Sequence, residues 1–74
     1  MTIEAVNTRN QFKGRIREIV DGAVVSEVVV ETDHGSVVSV ISTRSVRELN
    51  LKIGTEVLTL VKATDVALAK LYPL

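Results

Sequence analysis

Over most of the chain, apolar residues recur with a period near two, the pattern of strands that bury one face. Met1 to Val6 alternates loosely through Ile3 and Ala5 and predicts a short first strand. Asn7-Thr8-Arg9-Asn10 then interrupts it with four polar residues that favour turns and backbone capping. Phe12 to Val20 resumes as a strand, with Ile16 out of phase with the charged Arg15 and Arg17. Asp21-Gly22 is a strong hairpin signal. Ala23 to Thr32 is the longest strand: Val24, Ser26, Val28 and Val30 share one face, Val25, Glu27, Val29 and Glu31 the other. Asp33-His34-Gly35 turns the chain into Ser36–Ile41, where Val37 and Ile41 oppose Val38 and Val40.

The period changes at Ser42. Ser45-Val46-Arg47-Glu48 has capping-box spacing, and Val46, Leu49 and Ile53 give one apolar side to a helix of a turn or two. Gly54 ends that segment, Thr55 to Val61 returns to strand, and Val66 to Leu71 makes a last strand before Pro73. Ser42 and Ser45 read as helix caps. Thr43, Arg44 and Arg47 read as a solvated helix face, and His34 as an exposed turn residue. Strands on both sides of one short helix predict an all-β fold, a small OB-like five-stranded barrel, as a single domain over residues 1–74.

One residue disturbs the apolar pattern. Leu58-Thr59-Leu60-Val61-Lys62-Ala63-Thr64-Asp65-Val66 carries an ammonium inside a β-branched stretch, just before a small polar turn. A Lys there needs water or an anion for its head group. A fixed cation beside turn N–H groups and a hydroxyl makes an anion site; the simpler alternative is a lysine that snorkels from a strand end. Asp65 reads as a turn-forming residue, since a carboxylate would repel a bound anion.

Composition narrows the partners. A chain of 74 residues buries only about 60–65% of its unfolded surface. Small domains compensate with disulfides, metals or partners, and this chain has no Cys and a lone His34. Its apolar content of 46% exceeds what one small core hides, which predicts a homo-oligomer. Nine basic and nine acidic residues cancel, and Phe12 and Tyr72 are the only aromatics. Both facts argue against nucleic acid as a partner. No apolar run reaches the roughly 18 residues of a membrane span, and the N-terminus lacks a signal-peptide pattern. Cytoplasm is the expected location. With no Cys, a single turn His and no Ser placed beside a base, no nucleophile pair can be assembled, so an enzyme is not expected.

Four motifs in order carry a family resemblance: Asn7-Thr8-Arg9-Asn10-Gln11-Phe12-Lys13-Gly14, Ser39-Val40-Ile41-Ser42, Ser45-Val46-Arg47-Glu48-Leu49 and Val61-Lys62-Ala63-Thr64-Asp65-Val66. Together they resemble the molbindins, the small molybdopterin-binding-protein (Mop), or TOBE-type, molybdate-binding domains, over nearly the whole chain. The resemblance implies a barrel whose N-terminal strand is exchanged between protomers. It also implies a hexamer built as a trimer of dimers, with molybdate or tungstate held at subunit interfaces for storage or buffering. By the same resemblance, Arg9 with Asn7 and Thr8 meets Lys62 and Ala63 of a neighbouring chain. The Thr64 hydroxyl and backbone N–H groups would complete the cage. Ser39, Val40 and Ser42 could line a second oxyanion site near the helix start. Where the family has Ser-Ala-Arg-Asn, this chain has Asn7-Thr8-Arg9-Asn10. Asn7 still donates but is bulkier and Thr8 adds volume, so the change bears on affinity and on the choice between oxyanions. A structural oligomerisation module or an OB-type nucleic-acid-binding domain are the competing functions. Arg9 paired with Lys62 is what a bare interface would not require.

Overall fold

In a computed structural model, residues 6–73 are described. Four strands form one antiparallel sheet among them: β1 (Asn10–Val20), β2 (Val25–Thr32), β3 (Gly35–Ser42) and β4 (Glu56–Val61). Their order is β3-β2-β1-β4. A short helix, α1 (Thr43–Glu48), follows β3. The expected first strand falls on residues 1–6, of which 1–5 lie outside the described residues. Val66–Leu71 forms no strand here. The stretch is apolar as a buried strand would be, but a strand needs a ladder partner, and these residues find none among those described. Val66, Leu68 and Leu71 are exposed instead. The described residues therefore give a curled, half-barrel sheet of four strands with one short helix, the all-β class expected.

Alternation alone misplaces part of β1. Ile16 and Ile19 are three residues apart, so a regular strand would put them on opposite faces. The register resolves this: Ile16 pairs with Val30 and Glu18 with Val29, leaving Arg17 as the extra residue of a β-bulge. The bulge returns Ile19 to the core side, where Ile16, Val28, Val30 and Val46 are buried and Ile41, Leu51 and Val57 pack around them. Ser26 lies on this face as read from the sequence, but Val24 lies outside the strand and is exposed. Gly14 sits where β1 is paired on both sides, opposite Thr32 and Val57. A Cβ there would strike the Glu31 carbonyl oxygen and crowd Val30 Cγ1 at 2.8 Å, so the close approach of β1 and β2 requires glycine.

The helix starts earlier than the capping-box spacing suggests. Ser42 is the N-cap: its Oγ accepts from the Ser45 N–H at 3.0 Å and lies 2.8 Å from Ser45 Oγ. Ser45 is therefore inside the helix, and Thr43 is buried, not solvated. The Thr43 hydroxyl donates to the Gly22 carbonyl at 2.8 Å and lies 2.7 Å from Ser26 Oγ. These bonds satisfy the two buried hydroxyls and tie α1 to the β1–β2 loop. The helix ends before Gly54, in a Schellman motif. Asn50 takes the left-handed conformation (φ 51°), its N–H bonds to Arg47 O at 3.0 Å, and the Leu51 N–H reaches Val46 O at 2.9 Å. This turn sends Leu51 into the core, while Leu49 and Ile53 stay exposed.

Candidate functional site

The two polar segments singled out in the sequence meet at one end of the sheet. β1 begins at Asn10 and β4 ends at Val61, and these two residues are antiparallel partners. Thr8-Arg9 therefore enters, and Lys62-Ala63 leaves, beside that last pair. The reading by resemblance joins these segments across neighbouring chains; the β1–β4 register already brings them together within one. Asn10 Nδ2 donates to Val61 O at 3.1 Å, and Gln11 Nε2 donates to Thr8 O at 2.6 Å. Sequence reasoning gave Asn10 only a turn or capping role and Gln11 none beyond its place in the first motif, although two consecutive amides at a strand start were the available signal.

After Lys62 the chain makes the expected turn, a single 3₁₀ turn at Ala63–Asp65. The Asp65 N–H closes it on Lys62 O at 2.9 Å, and the Val66 N–H reaches Ala63 O at 3.3 Å. The Ala63 and Thr64 N–H groups open this turn and have no acceptor within it. Asn7, Arg9, Lys62, Ala63 and Thr64 are exposed in the single chain, and Thr8 is half-buried. Four other cations have carboxylates: Lys13 and Arg15 reach Glu56 at 3.3 and 3.5 Å, Arg17 reaches Glu31 at 3.4 Å and Arg44 reaches Glu48 at 4.0 Å, while Arg47, Lys52 and Lys70 have none among the described residues. No such ion pair involves Arg9 or Lys62 among the described residues. Two cations on a chain of zero formal net charge are thus gathered at one sheet end with hydroxyl and N–H donors.

Such a set can hold an anion that only accepts hydrogen bonds, through a planar fork from Arg9 and a point charge from Lys62. No cluster of three metal-ligating side chains occurs among the described residues. The second group comes together less well. Ser39 lies on the inner face of β3, half-buried, whereas Val40 and Ser42 alternate to the outer face. Ser42 Oγ is also committed to its cap.

Residues 7–68 match the TOBE domain family, a span that includes both halves of the site. The chain belongs to the TOBE domain family. This TOBE domain is 43% identical over 63 residues to molybdenum-pterin-binding protein 2 of Clostridium pasteurianum, covering 84% of this chain and 93% of that one. Its fold matches that of MopII from Clostridium pasteurianum in an apo form (TM-score 0.84, 40% identity), over 89% of this chain and all of that one. A molybdate-binding protein from Sporomusa ovata matches with a TM-score of 0.85 and 33% identity, over 89% of this TOBE domain and 98% of its own chain. The molbindin resemblance carried by the four motifs is thereby borne out.

Proposed function

We propose that this chain binds molybdate between Asn7-Thr8-Arg9 and Lys62-Ala63-Thr64, with tungstate as the other anion of matching shape and charge. The observation that carries this reading is the β1–β4 register, which gathers two cations and several donors at one sheet end in a chain whose relatives are named for binding molybdenum-pterin or molybdate. Both oxyanions are tetrahedral dianions that accept hydrogen bonds at neutral pH. The site therefore needs donors and positive charge, and its role is binding without turnover, for storage or buffering. No helix among the described residues is long and apolar enough to cross a membrane; we place the activity in the cytoplasm.

We further propose that the binding unit is a homo-oligomer, a hexamer by resemblance to the Mop domains. Surface area supports an assembly. The single chain exposes 6503 Å², whereas a compact monomer of 8.1 kDa exposes roughly 4,500 Å². The excess of about 2,000 Å² is surface that a compact chain would bury, part of it in the exposed segment 66–73. Apolar side chains contribute to it, including Val25, Val38, Val40 and Leu60 on the sheet.

Light scattering at micromolar concentration should give an oligomeric mass; a stable monomer contradicts the assembly. Ligand should also raise the melting temperature. A molecule that binds only the folded state stabilises it by about 2.7 kcal/mol at a hundredfold excess over Kd, and a 74-residue domain gains roughly 4–8 °C per kcal/mol. The expected rise in molybdate is thus of order 10 °C. An unchanged melting curve in millimolar molybdate contradicts the binding reading and leaves the structural oligomerisation module.

A further inference from the structure

We infer that Gln11 and Asn10 are positioning residues for the oxyanion site, each holding the carbonyl end of a peptide whose other end is the N–H of Arg9 or Lys62. The inference rests on the binding function proposed above. Gln11 Nε2 holds Thr8 O at 2.6 Å, and Asn10 Nδ2 holds Val61 O at 3.1 Å. In a trans peptide the C=O and the next residue's N–H lie in one plane and point in opposite directions, and no cis bond occurs among the described residues. Fixing Thr8 O therefore aims the Arg9 N–H, and fixing Val61 O aims the Lys62 N–H. The effect reaches the two residues that bring the charge.

The same contacts have a second consequence. A free carbonyl oxygen beside the site would turn a lone pair toward the anion and repel it. Both carbonyls are instead occupied by side-chain amides, which donate and do not compete for the anion. Gln11 is exposed and stands at the start of β1, away from the buried cluster of Ile16, Val28, Val30 and Val46. Its contact with Thr8 spans three residues and ties no two strands together. A purely structural role for it would leave the site unaffected.

The test is Gln11→Leu in the full chain, with Asn10→Leu as second variant and wild type alongside. Molybdate is titrated by calorimetry, and the backbone amides are followed by proton–nitrogen correlation spectra. In Gln11→Leu, losing one solvent-exposed aiming contact should weaken binding about three- to tenfold, with the melting temperature of the ligand-free protein within about 2 °C of wild type. The spectral signature separates positioning from structure: in Gln11→Leu the molybdate-induced shift of the Arg9 amide should fall by at least half while that of Lys62 persists. In Asn10→Leu the Lys62 amide should lose its response. Wild-type binding with an unchanged affinity and an unchanged Arg9 response in Gln11→Leu overturns the positioning role and leaves the binding function standing. Absence of binding by wild type overturns both.

Discussion

Lys62→Met should weaken molybdate binding by about ten- to several-hundredfold while the ligand-free protein stays folded. Methionine keeps an apolar stem of similar length and removes only the ammonium. A charge-assisted hydrogen bond to a desolvated anion contributes roughly 1.5–3 kcal/mol, and leaving a buried charge without its partner costs about 3–5 kcal/mol. At 1.4 kcal/mol per tenfold, 1.5–3 kcal/mol is roughly twelve- to 140-fold, and part of the larger cost of an unpaired buried charge carries the loss to several hundredfold. The environment decides where in the range the result falls. In the single chain Lys62 is exposed, and a solvated ion pair is worth at most about 1 kcal/mol, or roughly fivefold. A loss beyond tenfold therefore requires that a second chain cover the site, as the resemblance to the Mop domains implies. A loss below fivefold would return Lys62 to an ordinary strand-end lysine.

Ile16→Ala should be the most damaging single truncation of the core. Ile16 is 2% exposed and packs in the cluster with Val28, Val30 and Val46. Its N–H bonds to Thr55 O at 3.0 Å and its carbonyl accepts from the Gly54 N–H at 2.8 Å; Ala would keep these backbone bonds, so the loss is one of packing. Ile→Ala in a core costs about 2–5 kcal/mol, depending on how far the site collapses. A chain of 74 residues has roughly 4–11 kcal/mol in all. Urea unfolding should show the midpoint falling by roughly a fifth or more, and Ile16→Val, which removes one methyl, should cost about 0.5–1.5 kcal/mol. A loss below 1 kcal/mol for Ile16→Ala would mean that this cluster is not the core. The site should weaken with it, because the paired end of β4 carries Lys62.

The strands were legible because one face of each is buried and alternation records that face. Ser26, Val28 and Val30 were placed together in this way, and so were Val37 and Ile41. Where a second force competed, the pattern misled. Ile16 and Ile19 sit on one face through a bulge, and a three-residue spacing in a strand is its only mark in the sequence. The helix start was ambiguous because Ser42, Thr43 and Ser45 can all cap. Ser42 takes the cap, and Thr43 is drawn inward by Ser26 and the Gly22 carbonyl. Val66–Leu71 is apolar as a buried strand would be, but a strand is a property of a pair, and the single chain supplies no partner among its described residues. Arg9 and Lys62 were legible through motif order; their common location follows from a ladder register that neither motif encodes. The Asn10 amide depends on that register too, so its partner became visible only in three dimensions, whereas the Gln11 contact with Thr8 is local.

The central claim is that donors and charge at this sheet end hold a tetrahedral dianion of the size of molybdate, larger than sulfate. Calorimetric titration of the ligand-free protein with molybdate, tungstate and sulfate tests it most directly. Saturable heat should appear with molybdate and tungstate, with sulfate at least tenfold weaker, and Lys62→Met should lose most of it under the same conditions. No saturable heat with molybdate or tungstate, or identical titrations for wild type and Lys62→Met, would contradict the account.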